Sequence, residues 1–234
     1  MITSINRIDI KLALTALVAI VAALATVAPV TAQEANDGLP GEWLSRYASP
    51  RAVGLGGASV AVADEAQASL WNPAGLSWLR RNAVQATSTR LFDDTSVNGF
   101  AFARPSSSMP SLGLNILNLK SGEFERTNDL NESLGTFDEG DLVMALTVAQ
   151  ALSPNWSLGA NLKLARQSIE DFSGSGFGFD LGVMGRLTDG LMIGASALNV
   201  GGPTITLREK DETYATELRG GLALSLIHIS EPTR

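Results

Sequence analysis

The sequence predicts an all-β protein, an antiparallel transmembrane β-barrel preceded by a short helical N-terminal segment. Three observations carry that expectation. An export signal is followed by no second apolar run long enough for a spanning helix. After Arg81, eight segments alternate apolar with polar or small residues. Most run for about nine to eleven residues, the reach of a tilted strand across a bilayer. In four of these segments Asp141, Asn161 with Lys163, Asp180 with Arg186, and Glu217 with Arg219 set a polar parity opposite an apolar one, with Arg166 at a segment end falling on the apolar parity.

Residues 1–32 read as a signal peptide. Arg7 and Lys11, partly offset by Asp9, precede an apolar and small-residue run from Leu12 to Val27 that only Thr15 and Thr26 interrupt. Pro29 stops any helix, and Val30-Thr31-Ala32 suits a cleavage site before the polar Gln33-Glu34. A single transmembrane anchor is the competing reading, disfavoured by the short run and the cleavage pattern. The expected location is the outer membrane of a Gram-negative bacterium. Loss of residues 1–32 removes two basic residues and one acidic residue, taking the net charge from −7 to −8. An acidic exported chain is a poor nucleic-acid ligand. With no cysteine, disulfides, thiolate catalysis and Cys-ligated metals are excluded. Stability must then come from burial and backbone pairing.

Residues 33–81 form the N-terminal segment. Gly38, Pro40, Gly41 and Pro50 mark 33–50 as extended or loop structure. Gly54, Gly56 and Gly57, followed by small residues to Ala63, suit tight packing of one backbone on another. A phosphate-binding loop is the weaker reading of these glycines, because the spaced third glycine and a Gly-Lys-Ser/Thr are missing. Asp64 is placed to cap a short helix over Glu65 to Leu70. Asn72-Pro73 ends it, and Gly75 permits a left-handed turn.

The expected strands occupy 83–92, 97–104, 111–119, 141–151, 156–166, 176–187, 190–199 and 216–223, within a barrel region of 82–223. Connections at 105–110, 152–155 and 188–189 are short, and those at 121–140, 167–175 and 200–215 are longer. That alternation matches short periplasmic turns and long outer loops. The first connection, 93–96, breaks the pattern by being short where it should face outward.

Charges set the faces, since a one-residue slip would reverse them all. Asn161 and Lys163 share a parity and are expected to face the lumen, leaving Leu158, Leu162 and Leu164 toward lipid. Trp156 has the lipid parity, at a strand end where an aromatic girdle is expected. Asp180 and Arg186 point inward opposite Phe177, Phe179, Leu181 and Val183. Asp141 points inward opposite Leu142, Met144, Leu146 and Val148, and Glu217 and Arg219 do so opposite Leu218 and Leu222. The first two strands resist assignment, because Phe100 and Phe102 share a face with Asn98 and Arg104. A soluble sheet with one wet face is the alternative, which alternation alone does not reject.

The chemistry expected is not enzymatic. The single histidine, His228, lies in a C-terminal peptide discussed below, which leaves no Ser-His-Asp arrangement. The acidic stretch from Lys120 to Asp141 lacks calcium-loop spacing and reads mainly as a solvated outer loop, with a partner surface as the sharper possibility. No cofactor and no metal site are expected. Lys163, Asp180 and Arg186 read as internal ion pairs that keep the interior polar.

Residues 51–79, RAVGLGGASVAVADEAQASLWNPAGLSWL, carry a resemblance. Their ordered glycines and small residues, ending in Trp71, Asn72, Pro73, Ala74 and Gly75, resemble the N-terminal block of the PorV/PorQ family. That family belongs to the FadL-like superfamily of outer-membrane β-barrels. The resemblance implies that the Asn-Pro-Ala-Gly segment is a hatch packed inside a fourteen-stranded barrel, of which this chain covers about eight strands. It implies a component of type IX protein secretion, with secretion-system proteins and cargo as partners beside outer-membrane lipid. The alternative it implies is a FadL-like channel that transports long-chain fatty acids or other hydrophobic compounds.

Residues 224–234, LSLIHISEPTR, resemble the translation of a sequencing adapter. On that reading the tail is non-native, the barrel is a fragment, and His228 has no role.

Overall fold

The computed structural model describes residues 41–47, 49–62, 65–207 and 210–225. The expected signal peptide, Asp64, and the tail from 226 onward with His228 lie outside the described residues.

The described chain begins with two short helices, α1 (Glu42–Tyr47) and α2 (Pro50–Gly54). Two 3-10 helices follow, η1 (Ala66–Leu70) and η2 (Pro73–Trp78). Then come β1 (Ala83–Arg90), β2 (Ser96–Arg104), β3 (Ser111–Lys120), β4 (Phe124–Thr127), β5 (Ser133–Phe137) and β6 (Glu139–Ser153). The remaining strands are β7 (Trp156–Ile169), β8 (Phe172–Thr188), β9 (Leu191–Val200), β10 (Thr204–Leu207), β11 (Lys210–Thr213) and β12 (Glu217–Leu224). Eight strands form one antiparallel sheet in the order β1-β2-β3-β6-β7-β8-β9-β12. These are the eight that the alternation predicts. β1 and β12 are its edges and do not pair with each other.

Two features depart from the expectation. The connection expected at 167–175 is a tight turn, because β7 and β8 stay paired out to Ile169 and Phe172. Glu170 makes that turn with φ 56°. The long connections at 121–140 and 200–215 each contain a hairpin, β4–β5 and β10–β11. Strands of four or five residues rich in charge and threonine give alternation too little length to register.

Burial alternates along the sheet and defines two faces. On the inner face lie Ala101, Ala103, Asn115, Leu117, Val143, Ala145, Asn161, Lys163 and Asp180, all buried. The described residues among 41–80, here the N-terminal cover, pack against this face. On the outer face Phe100, Phe102, Leu112, Leu146, Val148, Leu162, Phe177, Phe179, Leu181, Leu218 and Leu222 are exposed. The face that the sequence left open in β2 is therefore settled. Val97, Ala101 and Ala103 turn inward under the cover, and Phe100 and Phe102 turn outward. Small residues go inward here because the cover needs room against the strand.

The cover differs from its expected form in three places. The helix starts at Ala66 with Glu65 at its cap position, and no side chain caps it. Gly75 lies inside η2 and not in a left-handed turn. Gly54 and Gly56 face open space, so they do not serve tight packing. Gly56 and Gly57 instead supply φ values of 62° and 82°, which turn the chain after α2 and let the Gly57 N–H donate to the Ala52 carbonyl at 2.8 Å.

Candidate functional site

The site is the seam between the N-terminal cover and the inner face of β6 to β9. Asn72 organises it. As the residue before proline it takes extended dihedrals, φ −154° and ψ 106°, and it caps η2. Its side-chain oxygen accepts the Ala74 N–H at 3.1 Å. Its amide nitrogen donates to the Val60 carbonyl at 2.8 Å and to the Val183 carbonyl of β8 at 3.0 Å. One buried side chain thus ties together the helix start, the preceding loop and the wall.

Pro73 and Ala74 then lie directly on the wall. A Cβ on Gly159 would overlap the backbone of Pro73 and Ala74, and one on Gly182 would overlap the Asn72 side chain and the Pro73 ring. Gly159 and Gly182 are cross-strand partners on β7 and β8, so together they form a flat seat one residue deep. Ala74 is fully buried, and its carbonyl accepts from Ser157 Oγ at 3.0 Å. The same serine oxygen accepts from the Trp78 indole at 2.7 Å. Gly75 is buried within η2, and Leu76 beside it fills a cluster with Ala66, Ala101, Ala103 and Ala149.

Trp71 anchors the other flank. It packs with Leu70, Val97, Leu117 and Ala145, its carbonyl accepts from Ser196 Oγ at 2.8 Å, and the Arg219 guanidinium lies 4.5 Å from its ring centre. Arg186 does the same for Trp78, at 5.0 Å. Arg186 has the parity of Asp180 but is exposed at the strand end, over the Trp78 ring and apart from the Lys163–Asp180 pair.

That ion pair is Lys163 with Asp180, at 3.0 Å, with side chains 4% and 0% exposed. Asp180 also accepts the Asn199 N–H at 2.8 Å and the Asn161 amide at 2.9 Å, while Lys163 donates to Asn199 Oδ1 at 2.8 Å. Asn161 reaches on to the Ser69 carbonyl of η1 at 2.9 Å, joining the network to the cover. Asn199 sits at a register shift between β8 and β9 with φ 55°, which brings its side chain inward out of strand alternation. Asparagine tolerates that conformation better than most residues, which is the one sequence signal for it. Alternation carries no sign of Ser157, Ser196 or Ser69, nor of Asn115, whose amide donates to Ser69 Oγ at 2.7 Å. Their roles come from which element lies above them.

Asp141 is buried near the loop end of β6, outside the Lys163 network. Close by, the β10–β11 hairpin folds onto Gly174, Gly176 and Gly178 of β8 and buries Ile205 against Val143, Ala165 and Tyr214. Burial, with Asp141 nearby, pushes the Tyr214 phenol up, so it stays neutral. Cover and hairpin together occupy the inner face of β6 to β8. Among the described residues no group of three His, Cys, Asp or Glu is placed to hold a metal.

The Asn72 geometry makes a sharp prediction. Asn72→Asp keeps the shape but turns a donor to two carbonyls into an acceptor. It should loosen the cover by about 1–3 kcal/mol for the buried groups left unpaired. Faster proteolysis within residues 55–80 would report this, and an unchanged cleavage rate would remove Asn72 from its organising role.

Comparison of the chain with protein-family models, curated proteins and solved structures finds no match.

Proposed function

We propose that this chain belongs to an outer-membrane β-barrel protein of the PorV/PorQ type that serves type IX protein secretion as a binding or shuttle component. One observation carries the membrane half of the reading. The outer face presents Phe100, Phe102, Leu146, Leu162, Phe177, Phe179 and Leu181 exposed, while the buried charges Lys163 and Asp180 lie on the other face. A sheet in water buries its apolar face, and a contiguous exposed one needs a partner surface or lipid. In lipid no sheet edge stays open, so in this reading further strands pair with Ala83–Arg90 and Glu217–Leu224. The N-terminal cover then lies within the barrel as a hatch.

The secretion half rests on the resemblance of residues 51–79 and on the filled inner face. The inner pocket beside Lys163, Asn199, Glu217 and Arg219 holds only about 20 Å³, room for about one water. The cover and hairpin packed on β6 to β8 support a binding or plugging role, and an open passage for fatty acids is the second reading.

Two measurements test the proposal. Leu162→Arg would place a charge in hydrocarbon at a cost of about 2–4 kcal/mol and should abolish heat-modifiable migration in gels, whereas Leu162→Phe should keep it. Equal behaviour of the two would overturn the lipid-facing assignment. Deleting the gene in its bacterium should then deplete exported proteins from the medium and leave uptake of labelled long-chain fatty acid unchanged. Lost uptake with intact export would establish the channel instead.

A further inference from the structure

On the outer face, opposite the cover, a groove of about 740 Å³ crosses β6, β7, β8, β9 and β12. That volume lies in the range of small-ligand sites. Its shape comes from the side-chain order of one cross-strand row. Val148, Ala160, Leu181, Ala197 and Leu218 are successive partners from β6 to β12, so large and small side chains alternate across the sheet. Along β9 the small residues repeat, with Ala195 beside Val183 and opposite Gly220. Ala197, although on the exposed face, is only 7% exposed, because Leu181 and Leu218 rise on both sides of it.

We infer that this groove is a binding site for one acyl chain of a bilayer phospholipid. The inference rests on the membrane reading given under Proposed function and adds a specific occupant to it. The lining is almost wholly aliphatic and holds no charged and no aromatic side chain, with Gln150 and Thr216 the main polar contributions. That chemistry selects an alkyl chain over an aromatic ligand. A peptide is disfavoured for a separate reason. The N–H and C=O groups of β8 and β9, which form the middle of the groove, are already committed to the ladders β7–β8, β8–β9 and β9–β12, and the outer edge of β12 is paired by a further strand in the membrane reading. A peptide laid there would bury its own backbone groups unpaired, whereas an alkyl chain has none to lose. The exposed apolar face continues on both sides, through Leu146 and Leu162 to one side and Leu222 to the other, so the groove opens onto the lipid-facing surface and not onto the interior.

The groove also has a defined position relative to the cover. Its floor includes Gly159, Gly182 and Val183, whose other side carries Pro73 and Asn72. One strand thickness separates the acyl chain from the Asn-Pro-Ala-Gly segment.

The test uses the full-length protein extracted from membranes in mild detergent and supplied with palmitoyl-oleoyl phosphatidylethanolamine, with retained lipid counted by native mass spectrometry. Wild type should keep one phospholipid per protein. Ala195→Leu with Ala197→Leu fills the groove with residues suited to a lipid face, and retention should fall at least five-fold. Ala86→Leu, on the exposed outer side of β1, should leave retention unchanged. Equal retention by wild type and the groove variant overturns the proposal, as does a retained mass matching a free fatty acid. Flotation with vesicles separates this from its premise. Wild type that floats but retains no lipid refutes the groove alone, and wild type that does not float refutes the groove and the membrane reading together.

Discussion

Asp180→Leu is expected to destabilise the protein by about 3–5 kcal/mol, the cost of leaving a buried charge without its partner. Lys163 is 4% exposed beneath the cover, and without Asp180 its ammonium would keep only the Asn199 side-chain oxygen. Asn199 would also lose the acceptor for its N–H, and Asn161 one of its two acceptors. The decisive comparison is with Lys163→Met, Asp180→Leu. Removing both charges should recover much of the loss, because an apolar pair of similar volume often replaces a buried ion pair at little cost. Denaturant unfolding followed by tryptophan emission measures both. Equal destabilisation by the single and double changes would mean that Lys163 reaches water when Asp180 is gone. A residue that faced an open lumen would accept arginine. Asn161 is 1% exposed and bonded to the cover, so Asn161→Arg should displace the cover.

Gly159→Val should expel the N-terminal cover. The overlap of a new Cβ is with the Pro73 and Ala74 backbone, and β7 is held on both sides by β6 and β8. Neither side can yield by rotating a side chain, so the cost should reach the upper part of the overpacking range, about 3 kcal/mol. Gly220→Val is the matched control. Gly220 lies in β12 with open space where its Cβ would be, and a β-branched residue suits a strand. The expected result is rapid proteolysis within residues 55–80 for Gly159→Val only. Protection of the cover in both variants would show that it is seated by something other than the Gly159–Gly182 seat.

Asn72 and Pro73 were legible in the sequence as a helix break. Their larger part, as the contact between cover and wall, depends on glycines that stand some 90 and 110 positions away in the chain. Gly159 and Gly182 look like ordinary weak points of strands until the segment above them is seen. The opposite error befell Gly54 and Gly56, whose motif suggested close packing although they face open space.

The sequence by itself determined the eight strands, their antiparallel succession and the division of each strand into two faces. It could do so because a strand's period of two writes each residue's side of the sheet directly into the order of apolar and polar residues. Only the tertiary structure decided which inner residues meet the cover, that Asn199 turns inward to complete the Asp180 network, and that the β10–β11 hairpin folds over the inner face. Those outcomes depend on backbone separations across distant segments and on one register shift, and neither leaves a periodic mark in a chain read residue by residue.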